Sequence, residues 1–423
     1  MNKRAFKGTG IDIYNEKLSN GLEVYLIPFP KKKSYYICYG TKYGSNNFDF
    51  ILDGKEVHVP WGVAHFLEHK MFAQESGPEP FEYFNKSGTY SNASTGYKST
   101  IYYCSGTSNF ENNLNYLLDF VNSPYFTSEN VENEKDIIVQ EVNMINDNPS
   151  WIMEQEMNKM IYNNHNYRVP IGGTEETVRK ITKEDLYLVY NNFYHPNNMI
   201  LLVAGNFDVE EVLKLIKNNK SLNNKKYQEI PKYIDPKESR EVSCKYKVLE
   251  LDNITNNKVC YGWKLKLSDF DCTPVELDVY LTILFNVLFG NTSIFREKLL
   301  NEGIFTSFSE DRKYDSEYVN INFWSETDDY ERVIHEVNDY FNNYEITSDE
   351  VERYKKVAIS NNVFNSDDEA SVVSNIFNDI VDFSYFDYDI VDFIKKITIS
   401  DILNIKKKIN IDNSSIMIVK SKE

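Results

Sequence analysis

His65-Phe66-Leu67-Glu68-His69 holds three groups that could act on one metal ion. In a helix the two imidazoles stand at i and i+4, on one face and one turn apart. That spacing lets both rings reach a single zinc at about 2.0–2.1 Å. Glu68 shares that face, three residues after His65, beside the position a catalytic zinc leaves open. A carboxylate there can take a proton from water, so the chemistry indicated is hydrolysis. With only six histidines in 423 residues, this triplet arises by chance about 0.01 times.

The flanking sequence, GVAHFLEHKMF, is mostly apolar, so its ionisable groups need partners once buried. Two histidines are also one ligand short of the usual three. The third must come from a distant segment packed beside this helix. ENEKDIIVQEVNMINDNP (132–149) offers Glu134 and Glu141, seven apart and hence on one helical face.

The elements that must hold these residues follow from periodicity. KLSNGLEVYLIPFP and SYYICYGTKYG (17–45) read as short strands with a turn at Asn20-Gly21. Helical spacing covers Gly62–Phe72, Pro80–Ser87 (ending on Gly88), residues 110–124, Ser128 to about Asn146 (capped by Ser128 or Thr127) and Lys183–Phe193. SNASTGYKSTIYYCSG (91–106) alternates as one half-buried strand does, and NMILLVAGNF (198–207) is an apolar strand.

An internal repeat organises the whole. TSENVENEK (127–135) returns as TSDEVERYK (347–355), RKITKEDL (179–186) as KKITISDI (395–402), and NNMILLV (197–203) as NSSIMIV (413–419). The expected fold is α+β, with two homologous repeats, each a mostly antiparallel sheet flanked by helices. The expected domains are 1–217, which carries the metal residues, and 240–423, which does not. Residues 218–239, with Pro231 and Pro236 and no periodicity, form the linker. Under the repeat Glu134 falls on Tyr354 and Glu141 on Asn361, and the histidines have no counterparts.

The net charge of −18 argues against a nucleic-acid binder and against docking on an anionic membrane. At 41% hydrophobic residues the chain can build full cores. Five widely spaced cysteines with no CxxC indicate neither a disulfide framework nor a thiolate zinc site. The N-terminus lacks the apolar core of a signal peptide, and no uninterrupted apolar run approaches a membrane span. A cytoplasmic location is the expectation.

HFLEH followed by KMF, SNASTGYKSTIYY and ENEKDIIVQEVNM resembles the pitrilysin-like, inverted zincin (HxxEH) metallopeptidases, the family of insulin-degrading enzyme and mitochondrial processing peptidase. The likeness is strongest to bacterial two-subunit members of about this length. Their HFLEHK(M/L)F, DNP and FYHPSNM-like segments match His65–Phe72, Asp147–Pro149 and Phe193–Met199. It covers residues 17–207, and the second half through the repeat alone.

The resemblance implies a zinc endopeptidase with one Zn2+ per chain, acting on extended peptides in an enclosed chamber. It makes Glu141, 72 residues after His69, the third ligand and Glu134 a supporting residue. Zinc would polarise the scissile carbonyl and acidify a water, with Glu68 as the base. The segment Ser91–Tyr97 matches the edge strand that takes substrate as an added strand, with Asn92 and Ala93 as contact positions. Many members also carry, in the second half, an arginine and a tyrosine seven residues later that bind the substrate carbonyl. Here Arg296 is followed by Gly303, so Arg296 is expected to be a surface residue. The missing pair would come from a homologous partner lacking HxxEH, in a dimer. Two other readings stand beside this one. One is a catalytically silent subunit, which the complete ligand set argues against. The other is an enzyme that processes leader peptides of bacteriocin type, with the same chemistry on a narrower substrate.

Overall fold

The computed structural model describes residues 1–252, 254–384 and 389–422. Strands β1 (Asn2–Phe6), β2 (Ile11–Lys17), β3 (Glu23–Pro28) and β4 (Tyr35–Thr41) open the chain, followed by the hairpin β5 (Asp49–Leu52) and β6 (Lys55–His58). Then come β7 (Tyr90–Thr95), β8 (Thr100–Gly106), β9 (Met199–Gly205) and the two-residue β10 (Lys232–Tyr233). The second half supplies β11 (Tyr246–Leu251), β12 (Lys258–Lys266), β13 (Ser307–Tyr314), β14 (Tyr318–Glu326) and β15 (Ser414–Ser421).

The first sheet runs β1-β2-β3-β9-β4-β8-β7, and the second runs β11-β15-β12-β14-β13. Only β3–β9 and β11–β15 are parallel; the other neighbouring pairs in these two sheets are antiparallel. Without β1 and β2, the first sheet has the same chain-order arrangement as the second, each fifth strand lying beside its first. The repeat is therefore one of topology as well as sequence. It extends to helix starts: Ser128–Asn146 and Ser348–Asn365 begin 220 residues apart. Reciprocal caps, Thr182 with Asp185 and Thr398 with Asp401, open helices Lys183–Phe193 and Ile399–Lys408.

Two compact units emerge, and neither is contiguous in the chain. The first comprises Met1–Ile145, Val169–Asp235 and the stretch beginning at Asn365. The second comprises Asn146–Arg168, Pro236–Phe364 and the C-terminal stretch. Helix Glu369–Phe383 thus covers the first sheet, where Val372, Val373, Ile376, Phe377 and Ile380 pack with Ile27, Cys38, Ile200, Leu202 and Ala204. Helix Pro149–Ile161 covers the second sheet, and Gly262 lies directly under Met157, whose side-chain end would have to shift to admit a Cβ. Residues 218–239 hold one helical turn, Lys220–Asn223, and β10, which pairs with β5.

One expectation of the fold needs correcting. Residues 91–106 are not one strand but the hairpin β7–β8, because Gly96 N–H bonds to Ser99 O (2.8 Å) and turns the chain. Pro274–Asn301, although long and apolar enough for a span by composition (mean hydropathy 1.3), is two helices, Pro274–Phe289 and Ile294–Asn301. Its Leu277, Leu281, Ile283, Leu284 and Leu288 are at most 1% exposed, as a core helix requires. All five cysteines are free.

Candidate metal centre

The helix Val63–Met71 starts at Gly62, whose φ of +87° and abutment on Gly172 O exclude any side chain. Val63, Ala64, Phe66, Leu67 and Met71 bury the inner face. His65, Glu68 and His69 are left on the opposite side, and the two imidazole centroids lie 4.7 Å apart.

Facing them is helix Ser128–Asn146. Its cap is Thr127, not Ser128: Thr127 Oγ1 accepts from Asn130 N–H (3.0 Å), and Asn130 Oδ1 accepts from Thr127 N–H (2.9 Å). Val131, Ile138, Val139 and Val142 anchor this helix, which turns Glu134 and Glu141 to the histidines.

Glu141 bridges both rings. Its Oε1 lies 3.6 Å from His65 Nε2 and its Oε2 lies 3.4 Å from His69 Nε2. One ligand atom from each of His65, His69 and Glu141 falls within 4.8 Å of the others. Two ligands about 2.0–2.1 Å from a tetrahedral zinc are about 3.3–3.4 Å apart, close to the two Glu141 separations, so the residue types and spacing suit zinc. Glu134 is placed differently. Its Oε1 is 3.3 Å from His69 Nδ1, the nitrogen turned away from Glu141, and its Oε2 accepts from Lys70 Nζ (2.9 Å). A carboxylate on that nitrogen is placed to orient the ring, and Glu134 is not among the three residues whose ligand atoms converge.

Electrostatics agree with a site made for positive charge. Burial pushes His65 down to about 4, and the neighbouring His69 adds to this, so the ring is neutral and ligand-competent at ordinary pH. His65 Nδ1 is buried without a hydrogen-bond partner among the described residues, so only the cluster engages this ring. Burial also works against charge on His69, yet its bonds to Glu134 and Glu141 outweigh that and hold it up at about 9. The bond from His69, helped by Lys70, holds Glu134 down to about 2, and His69 likewise lowers Glu141. Two ionised carboxylates thus keep a proton on His69, and a divalent cation is the charge that would replace it. Burial raises Glu68, while Thr95 opposes the shift by donating to Glu68 Oε2 (2.5 Å).

Asn92 and Ala93 lie on β7, the free edge of the first sheet. Asn92 is exposed, with its amide donating to Tyr90 OH (3.2 Å), and Ala93 is half-buried. In the second unit Arg296 is half-buried rather than a surface residue. It donates to Phe308 O (2.6 Å) and Phe289 O (3.3 Å), and its guanidinium lies over the Phe308 ring. Gly303 follows the helix Ile294–Asn301 at φ +69°, a conformation in which a tyrosine would be strained. Sequence reasoning missed Lys70 and Thr95. Lys70 did carry a signal, as a lone cation on the buried side of an apolar helix.

Two family profiles match the chain. "Insulinase (Peptidase family M16)" covers residues 56–175 and so includes every candidate metal ligand, and "Peptidase M16 inactive domain" covers residues 180–357. The uncharacterized zinc protease YmfH of Bacillus subtilis (strain 168) is 34% identical over 412 residues, covering 93% of this chain and 92% of that protein. The crystal structure of an M16-like peptidase from Alicyclobacillus acidocaldarius matches with a TM-score of 0.90 at 30% identity, over 97% of this chain and 99% of that one. A protease from Helicobacter pylori shares the fold, with a TM-score of 0.83 at 19% identity over 96% and 99% of the two chains. Likeness along nearly the whole length, together with the paired histidines and glutamates on facing helices, makes this chain a member of the M16 (insulinase, pitrilysin-like) zinc protease family.

Proposed function

We propose that this chain is the zinc-bearing, catalytic subunit of an endopeptidase that cleaves extended peptides. The observation that carries the reading is the convergence of His65, His69 and Glu141 within 4.8 Å, with Glu68 on the same helix face. His65, His69 and Glu141 would hold one zinc, and Glu134 would keep the His69 ring turned toward it. Zinc, when bound, supplies a Lewis acid for the scissile carbonyl and lowers the pKa of water. Glu68 takes the proton from the attacking water and later delivers it to the leaving amine. Its raised affinity for protons, caused by burial, suits both halves of that task. The free edge of β7 accepts substrate backbone as an added strand, beside Asn92 and Ala93, and this favours extended peptides over particular side chains. Leader peptides are one such class.

Gly303 favours a second component of the reading: the chain works as a dimer with a homologue that lacks HxxEH and supplies the carbonyl-binding pair. Losing one oxyanion donor costs about 10²–10³ in rate, enough to make an isolated subunit look nearly inert. A reducing, cytoplasmic setting fits the five free cysteines.

The experiment is to purify the chain without chelator, measure bound zinc, and assay peptide cleavage alone and with a homologue added. Zinc near one per chain with cleavage in either arm is expected. Zinc binding without cleavage in both arms would favour the silent-subunit reading. No zinc would end the proposal.

A further inference from the structure

Glu68 is fixed by a hydroxyl that belongs to the strand offered to substrate. Thr95 is the last residue of β7 and stands opposite Thr100 on β8. A hydroxyl has one proton to give. Thr100 Oγ1 donates to Tyr43 O (3.0 Å), and its oxygen lies 3.5 Å from Thr95 Oγ1. The Thr95 proton therefore goes to Glu68 Oε2, at 2.5 Å. Thr95 N–H also bonds the Glu68 carboxylate, and among the described residues no other side chain donates to it.

The hydroxyl is also held in place. Gly96 N–H bonds to Ser99 O (2.8 Å), Ser45 N–H to Gly96 O (3.0 Å) and Asn46 N–H to Tyr97 O (2.8 Å). Gly44 lies close against the turn, where a Cβ would run into Ser99 N and Gly96 O. Threonine is stiff at χ1, whereas glutamate has three soft torsions. The constraint thus runs from strand to base.

We propose that Thr95 is the positioning residue for the Glu68 carboxylate, tying the base to the strand along which peptide is laid. This rests on the peptidase reading above. It predicts that the hydroxyl matters for turnover and not for folding, zinc loading or peptide affinity.

Thr95→Val keeps shape and β-branching and deletes the donor, while Thr95→Ser keeps the donor. Zinc content, melting midpoint and steady-state cleavage of an internally quenched, arginine-containing decapeptide are measured for the full chain with its homologue present. Crystal structures of zinc-loaded wild type and Thr95→Val supply a readout independent of turnover. A hydrogen bond to a charged group is worth about a 10- to 100-fold change, so kcat of Thr95→Val should fall by about that factor. KM, zinc and melting midpoint should stay near wild type, Thr95→Ser should recover most of kcat, and Glu68 should occupy more than one rotamer in Thr95→Val. Wild-type kcat in Thr95→Val, a loss in KM alone, or no recovery in Thr95→Ser overturns the proposal. A single unchanged Glu68 rotamer in Thr95→Val overturns it as well. Zinc-loaded wild type that cleaves nothing refutes the peptidase reading instead, and the rotamer comparison still decides the role of Thr95.

Discussion

Lys70 Nζ lies 2.9 Å from Glu134 Oε2, so the acid that orients His69 is tethered by the residue next to His69 in the chain. Lys70 is only 5% exposed, and its charge is matched by Glu134 inside the protein. A buried charge stripped of its partner is costly, which makes the pair a unit.

That unit should show in metal affinity. Glu134→Gln removes one of the two carboxylate charges that face His69, and supporting residues of this kind typically contribute about 10- to 100-fold. Competition against a chromophoric chelator should show zinc binding weakened by about that factor, with Lys70→Met weakened less. Wild-type affinity in Glu134→Gln would remove it from the site.

Glu68→Gln retains shape but cannot accept a proton. It should keep its zinc and lose peptide hydrolysis by about 10²–10⁴-fold. Turnover within a few-fold of wild type would place the base elsewhere.

Gly62 begins the helix that carries both histidines at φ +87°, with Gly172 O where a Cβ would go. Gly62→Ala should destabilise the protein by about 1–3 kcal/mol from backbone strain alone and lower zinc occupancy. Chemical denaturation and metal analysis check both, and an unchanged midpoint would contradict the packing.

Lys225 gives a pH prediction away from the metal. It donates to Tyr190 OH and Tyr194 O, both at 2.9 Å, and burial pushes it down to about 8 from its ordinary 10.5. Between those values the unfolded chain holds the proton and the native chain does not, so stability rises with pH there. Below them the native state carries the cost of a buried charge. Relative to Lys225→Met, wild type should therefore gain stability between pH 7 and pH 10. Urea midpoints of both proteins measure this, and a gap that does not move with pH would refute it.

The sequence alone carried the local chemistry. The i, i+4 histidines, Glu68 between them and the seven-residue spacing of Glu134 and Glu141 are properties of a helix, and helix geometry is the same wherever it occurs. The repeat was legible for a related reason: helix caps and apolar strands are short-range patterns, and both halves keep them 216 to 220 residues apart. What the tertiary structure decided depends on contacts distant in the chain. It separated Glu141, facing two Nε2 atoms, from Glu134, on Nδ1, because the crossing of two helices and not their spacing selects which acid meets which nitrogen. It brought Thr95 to Glu68 across 27 residues through a hairpin turn hidden in one alternating run. It also sent helix Glu369–Phe383 to the first sheet and Pro149–Ile161 to the second. Apolar periodicity shows that a helix must bury a face, but the sheet that receives it is fixed only when both sheets exist.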